Sequence, residues 1–342
     1  MDKLAFYLKE IIGKRSIRDI YDQSGELLVP ISTVITYDHI ILLEEKGITL
    51  KSEDVQDLEK DFINHSKIIN ETVEDVRNIF GEIRETKKIP LNELRESIIP
   101  IVYEVSDSKY LLPLLSALQA KDDYTYRHNI AVGAIANLIG KWMGLDQQQL
   151  LQLTVAGLLH DVGKMLIPET ILNKPGKLTY QEFIIMQKHT IYGYEILKET
   201  IGVTHRQALV ALQHHERMDG SGYPMGIKGD KIDLFSRIVA VADVFHAMTS
   251  RRVYQDQFPF YKVVSEIERS MFDSLDPAIS IVFIEKIMSA LIGSSILLSD
   301  GRAGKIVMVP KNYPTRPLIQ VGEEFIDLTI HSDLQIEKIN FR

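Results

Sequence analysis

Two short stretches of this chain carry residue types that could do chemistry. Residues 160–164 read His160-Asp161-Val162-Gly163-Lys164. Residues 214–224 read His214-His215-Glu216-Arg217-Met218-Asp219-Gly220-Ser221-Gly222-Tyr223-Pro224. The first sets an imidazole beside a carboxylate, with a lysine three residues on. The second sets two imidazoles side by side just before a glycine-rich turn. Imidazole and carboxylate in this quantity point to a hard-to-borderline divalent metal rather than a thiolate site. One ion does not need so many ligands. Two ions do, and paired ions suit phosphoester chemistry.

Such ligands must be positioned by helices. His160-Asp161 follows an apolar helix over 151–159, which puts the pair at a buried helix end. An aspartate buried there unpaired would carry a large desolvation cost, and a metal supplies the missing charge. Successive helical residues point roughly 100° apart. His214 and His215 therefore converge on one ion only near a frayed helix end, which Gly220 and Gly222 mark. Seven of the ten histidines lie between His128 and His246.

The wider pattern is mostly helical from 91 to 290. Helices are expected over 111–118, 130–142, 150–159, 179–197, 205–214, 238–248 and 279–291. Residues 52–88 read as one long helix with a stripe at Val55, Leu58, Phe62, His65, Ile69, Val73, Val76, Phe80 and Ile83. That stripe packs either on its own domain or on a second copy, which makes 52–88 a candidate homodimer surface. Residues 1–50 read as a strand over 16–21, a turn, a strand over 26–29, and a helix over 38–46 ending at Gly47. After 291 the pattern changes to short β-type runs over 296–298, 306–309, 318–321 and 325–328. The expected organisation is a small α/β segment (1–50), a helical linker or dimerisation region (51–106), a catalytic domain (107–290) and a small β-rich appendage (291–342).

Composition narrows the function classes. The net charge of −8 argues against binding a nucleic-acid polymer. Cysteine is absent, which excludes disulfides, thiolate metal sites and cysteine nucleophiles. Met1-Asp2-Lys3-Leu4 has no apolar core of signal-peptide type. No apolar run approaches the roughly 20 residues of a membrane span, so a cytoplasmic protein without membrane partners is expected.

Taken in order, several motifs resemble the HD-GYP family of the HD superfamily of metal-dependent phosphohydrolases. They are Tyr124-Thr125-Tyr126-Arg127-His128, the 160–164 stretch, Ile167-Pro168-Glu169, 173–179 (Asn-Lys-Pro-Gly-Lys-Leu-Thr), His214-His215-Glu216-Arg217, Gly222-Tyr223-Pro224 and 237–243 (Arg-Ile-Val-Ala-Val-Ala-Asp). The match is dense over 120–255 and extends over 107–290. It implies a mainly α fold: an HD-type helical bundle as catalytic domain, with small β-rich segments at both ends.

The resemblance also implies roles. His128, His160, Asp161 and Asp243 match the four ligands shared across the superfamily, with Asp161 bridging two ions. His189, His214 and His215 match the ligands this family adds. Some members hold a third metal through a glutamate four residues before the first histidine. Tyr124 stands there, so two divalent ions are expected, iron or manganese. Lys164 reads as a helix cap or, with Asp161, as part of the catalytic machinery, aimed at the scissile phosphate. Tyr223, Arg252 and Tyr254 match positions near the nucleotide. Their plainer readings are a packed turn residue for Tyr223 and a solvated charge for Arg252. Two departures stand out. His246 replaces an aspartate usual three residues after the last ligand, and is read as a helix-surface histidine rather than an eighth polar group at the cluster. Arg252-Val253-Tyr254-Gln255 lacks the basic residue usual after the tyrosine.

The implied reaction is hydrolysis of cyclic di-GMP to linear pGpG, or on to GMP, by a metal-bridging hydroxide. Two other readings stay open: a hydrolase of another cyclic dinucleotide or phosphoester, and a non-catalytic nucleotide-binding signalling module.

Overall fold

The computed structural model describes residues 6–7, 10–31, 33, 35–106, 124–249 and 260–340. The side chains of 58–66, 104–105, 124, 260 and 340 are not described. The chain divides into two compact units, Met1–His65 with Glu285–Arg342, and Ser66–Ile284. The fold is mainly α, with small sheets near both termini.

In the first unit, polar side chains interrupt elements that the apolar pattern suggests are continuous. The strand expected over 16–21 is split into β1 (Arg15–Ser16) and β2 (Ile20–Tyr21). Between them, the Arg18 guanidinium donates to Asp54 Oδ1, and Asp19 Oδ1 accepts from the Ile31 amide at 2.6 Å. β2 pairs antiparallel with β3 (Leu27–Val29) across a turn in which Asp22 Oδ1 accepts from the amides of Ser24 and Glu26. Helix α1 (Tyr37–Glu45) is capped by Thr36, with His39 reciprocating, and stops before Gly47 at φ 71°.

The expected helix start at 52 is also displaced. Ser52–Asp54 is a 3₁₀ turn, and β4 (Val55–Gln56) pairs with β1. Asp54 accepts from the Lys51 amide as well as from Arg18, which fixes the turn. Helix α2 (Leu58–Thr86) begins only afterwards.

The C-terminal sheet is antiparallel, ordered β8-β7-β6-β5-β9: β5 Ser295–Leu298, β6 Ala303–Met308, β7 Leu318–Val321, β8 Glu324–Asp327 and β9 Ile336–Asn340. Ile306, Ile319 and Ile326 sit in register and are buried, as are Ile296 and Ile339 on the β5–β9 pair. β9 was not among the expected strands. Its Ile-Glu-Lys-Ile-Asn sequence carries only two apolar positions, so it depends on pairing with β5.

The second unit is helical. Its longer helices are α3 (Ile99–Val105), α4 (Tyr124–Trp142), α5 (Gln147–Leu159), α6 (Tyr180–Gln187), α7 (His189–Glu199), α8 (His205–Gln213), α9 (Leu234–Thr249), α10 (Phe260–Ser270) and α11 (Pro277–Ala290), with α2 entering from the first unit and α11 continuing into it. Ile69, Val73, Val76, Phe80 and Ile83 of the α2 stripe are buried within the chain. Phe80 meets Tyr126 edge-on, and Arg127 donates to Asn70 at 2.5 Å. These contacts tie α2 to the first turns of α4. A homodimer through 52–88 would have to use faces other than those five side chains. Leu58, Phe62 and His65 lie outside the described side chains, and the helix expected over 111–118 lies outside the described residues. No described helix is long and apolar enough to cross a membrane.

The expected helix over 179–197 is two helices, α6 and α7. At the junction the Lys188 amide reaches back only to Ile185, and the side chains of His189 and Thr190 bond the carbonyls of Met186 and Gln187. Those contacts replace main-chain helical bonds and break the helix at Lys188.

α4 and α5 lie against each other with glycines at their contact. A Cβ on Gly157 would come within 2.9 Å of Gly133 Cα, closer than real Cβ contacts allow. Asn137 Nδ2 donates to Thr154 Oγ1 at 2.8 Å along the same seam. α4 carries His128, and α5 ends at His160. We expect Gly157→Leu to force the helices apart and to lower stability by about 1–3 kcal/mol, the usual overpacking range. Urea denaturation followed by circular dichroism measures this, with unchanged stability as the contrary result.

Candidate metal centre

Each expected ligand sits at or near a helix end, or on a buried helix face. α5 is started by Asp146 in a capping box and ends just before His160, whose backbone remains helical. Asp161 then turns the chain into a 3₁₀ segment, Val162–Leu166. His189 opens α7, and His214 follows the last residue of α8. His128 lies in the second turn of α4, and Asp243 lies within α9.

These elements gather all seven residues. Donor atoms of Asp161, His189, His214 and His215 lie within 4.8 Å of one another, as do those of His128, His160 and Asp243. Asp161 stands between the groups. Its Oδ1 is 3.2 Å from His189 Nε2 and 3.7 Å from His214 Nε2. Its Oδ2 is 3.4 Å from His160 Nε2 and 3.8 Å from His128 Nε2. Asp243 Oδ1 is 3.1 Å from His128 Nε2, and Asp243 Oδ2 is 4.0 Å from His215 Nδ1.

Hydrogen bonding shows which ring nitrogens are available. His160 Nδ1 lies 2.7 Å from Gly157 O, His189 Nδ1 2.7 Å from Met186 O, and His214 Nδ1 3.0 Å from both Val210 O and Ala211 O. A carbonyl only accepts, so each Nδ1 carries the proton. In the neutral ring each Nε2 then presents a bare lone pair toward the Asp161 carboxylate. His160 Nε2 and Asp161 Oδ1 accordingly have no hydrogen-bond partner, although both are buried. Lone pairs converging on a carboxylate repel one another unless a cation lies between them. This donor set fits a divalent metal.

Electrostatics agree with that fit. Burial pushes His214 down to about 4, and burial with neighbouring His214 pushes His215 well below its ordinary value, so both are neutral near pH 7. Burial alone would raise Asp161 and Asp243. Lys164 instead holds Asp161 well below the usual carboxylate range, and His128 does the same for Asp243. Against its burial, Asp161 in turn raises His160, so a bound cation would take the place of a proton on that ring. Of the two ionised carboxylates, Asp161 is the one paired with Lys164, whose Nζ is 2.5 Å from Asp161 Oδ2.

Two glycines allow the centre to close. A Cβ at Gly163 would fall 1.9 Å from His189 O, so the turn after Asp161 can pack on the start of α7 only with glycine there. A Cβ at Gly222 would fall 2.4 Å from His215 O. The loop therefore folds back under His215, and Tyr223 stacks on that ring at 4.6 Å and 27°. Burial, with Asp161 and Asp243 nearby, pushes the Tyr223 phenol up. Phe183 meets Tyr223 edge-on at 6.1 Å and is partly exposed.

Two residues go beyond the expectations. His246 is 2% exposed rather than on the helix surface. Its Nδ1 lies 2.9 Å from His128 Nδ1. The surface reading fails because His246 is one turn beyond Asp243 and shares its buried face. The i,i+3 spacing from a ligand was the available signal. Glu216 is buried, and its two oxygens accept from the amides of Met225 and Ile227 at 2.7 and 3.1 Å. It therefore holds the loop that carries Tyr223. Arg252 and Tyr254, with Val253 and Gln255, lie outside the described residues.

Comparison with known proteins gives consistent findings. Residues 113–279 match the family model described as HD domain. The chain is 36% identical over 214 residues to a cyclic di-GMP phosphodiesterase of Pseudomonas aeruginosa, covering 60% of this chain and 51% of that one. It is 42% identical over 164 residues to a cyclic di-GMP phosphodiesterase of Thermotoga maritima, covering 46% and 45%. It is 39% identical over 155 residues to 3'3'-cGAMP-specific phosphodiesterase 1 of Vibrio cholerae, covering 44% and 35%. The chain thus spans about half the length, or less, of these relatives.

Glu216→Ala would leave two loop amides without their charged acceptor. We expect a loss of about 1.5–3 kcal/mol. Urea denaturation with limited proteolysis of the 217–228 loop measures it, and wild-type stability with an uncut loop is the contrary outcome.

Proposed function

The chain carries an HD domain of the HD-GYP family, and on that basis we propose that it is a metal-dependent phosphodiesterase hydrolysing cyclic di-GMP. The observation that carries this reading is Asp161, whose two carboxylate oxygens face two separate groups of imidazoles. His128, His160 and Asp243 would hold one divalent ion. His189, His214 and His215 would hold the other, with Asp161 shared, and iron or manganese suits this donor set. Bound ions supply Lewis acidity and lower the pKa of water enough to furnish a nucleophile at neutral pH.

The chain's own residues do the rest. The backbone carbonyls behind His160, His189 and His214 keep their Nε2 atoms bare and aimed inward. Lys164 brings a cation to the edge of the centre, where it offsets charge growing on the phosphate oxygens. Tyr223, seated on His215, offers an aromatic face and a hydroxyl beside the reacting group. Arg252 and Tyr254 are assigned to the nucleotide by motif position. The reaction opens one 3′–5′ phosphodiester to give linear pGpG, and cleavage of the second bond would give GMP.

A second substrate reading has a specific basis, because three relatives are named as 3'3'-cGAMP-specific phosphodiesterases. Full-length protein loaded anaerobically with Fe(II) or Mn(II) should be given each cyclic dinucleotide in turn. Linear pGpG from cyclic di-GMP is expected, lost on chelation. His160→Ala and Asp161→Ala should each lower turnover by about 10⁴-fold or more, the scale for breaking a group that acts as a unit. Faster cleavage of 3'3'-cGAMP would transfer the assignment to that substrate. Tight binding without cleavage of either would replace the enzyme reading with a non-catalytic one.

A further inference from the structure

His246 faces His128 from the side opposite the ligand cluster. The His128 ring presents Nε2 to Asp243 Oδ1 at 3.1 Å and to Asp161 Oδ2 at 3.8 Å, so Nε2 is its ligand atom. Its Nδ1 points the other way, to His246 Nδ1 at 2.9 Å. Both rings are buried. Two nitrogens at that distance share one proton: one donates and the other accepts.

His128 differs from its neighbours in this respect. Behind His160, His189 and His214 stand main-chain carbonyls, which accept only and so fix the tautomer. Behind His128 stands an imidazole that can either donate or accept. We propose that His246 is the positioning residue for His128, accepting its Nδ1 proton so that Nε2 is bare for the metal. The inference rests on His128 being a metal ligand.

The chemistry follows from neutral imidazole. An ion on His128 Nε2 requires the ring proton at Nδ1, and that proton is donated to the His246 Nδ1 lone pair. His246 then carries its own proton on Nε2. Without an acceptor at 246, the His128 Nδ1–H of the metal-loaded state would lose its bond to that residue, and the alternative tautomer, with Nε2–H donating to Asp243, would gain. Partners of this kind behind a metal-bound histidine typically change metal affinity 10–100-fold.

Two variants and one measurement test this on the full chain. His246→Leu substitutes an apolar side chain of similar bulk and so removes the acceptor. His246→Asn places an amide oxygen where Nδ1 stood, since each is two bonds from Cβ. Mn(II) is titrated into metal-stripped protein against a chelating dye, with thermal melting as a check on folding. We expect wild type to bind Mn(II), His246→Leu to bind 10–100-fold more weakly, and His246→Asn to recover most of the loss.

Equal affinity in wild type and His246→Leu would overturn the role of His246 alone. Loss in the leucine variant without recovery in the asparagine variant would reduce it to packing. Absence of Mn(II) binding by wild type would remove the metal reading and this inference with it. Nitrogen-15 spectra of the Zn(II)-loaded wild type decide the point even if the leucine variant does not fold. They should show His128 protonated at Nδ1 and His246 unprotonated there, and the reverse would overturn the proposal.

Discussion

The structure of the second unit depends on burying Asp161. An isolated ionised carboxylate in an apolar interior costs on the order of tens of kcal/mol in the continuum limit, so it must be paired, neutralised or bound to a cation. Here it stays ionised. Lys164 reaches one oxygen, and four imidazole Nε2 atoms approach the two oxygens between them. One ammonium does not balance two carboxylates, because Asp243 is ionised beside it. The remaining negative charge, ringed by bare nitrogen lone pairs, selects a divalent cation over a second lysine or a water.

That arrangement governs the local backbone. α5 ends at His160 because the chain must turn there to bring Asp161 inward, and Gly163 lets the turn lie against the start of α7. The long 179–197 helix breaks at Lys188, which puts His189 at a helix start with Nδ1 on a carbonyl of the previous turn. α8 stops at Gln213, where two successive histidines can face one region. Gly222 and Glu216 then fold the following loop under His215. Helix ends at the centre therefore do two things at once: they orient ligands, and their otherwise unpaired carbonyls fix ring tautomers.

Much of this was legible in the chain itself. The His-Asp pair, the double histidine and the glycines after it identified both the chemistry and the places where helices stop. Other features were less visible. The break at Lys188 lies inside a single helix candidate, at the polar run Gln187-Lys188-His189-Thr190, and side-chain bonds to carbonyls decide it. Residues 17–19 and 52–57 read as strand and helix by pattern. Arg18, Asp19 and Asp54 make the first a bend and the second a 3₁₀ turn leading into β4, through contacts distant in sequence. The last strand, Ile336–Asn340, has too few apolar positions to announce itself and forms by pairing with β5.

By itself the sequence determined which residues could ligate, and the order in which helices must present them. Residue type and helical spacing are local properties, written in the chain. The tertiary structure alone decided what stands behind each ligand and between the two groups. His246 shows the difference. Its spacing from Asp243 placed it on a ligand's face, but only the approach of α4 to α9 made it the partner of His128. Hydrogen-bond partners 118 residues apart depend on how whole helices pack, and that packing is set by the summed fit of the core.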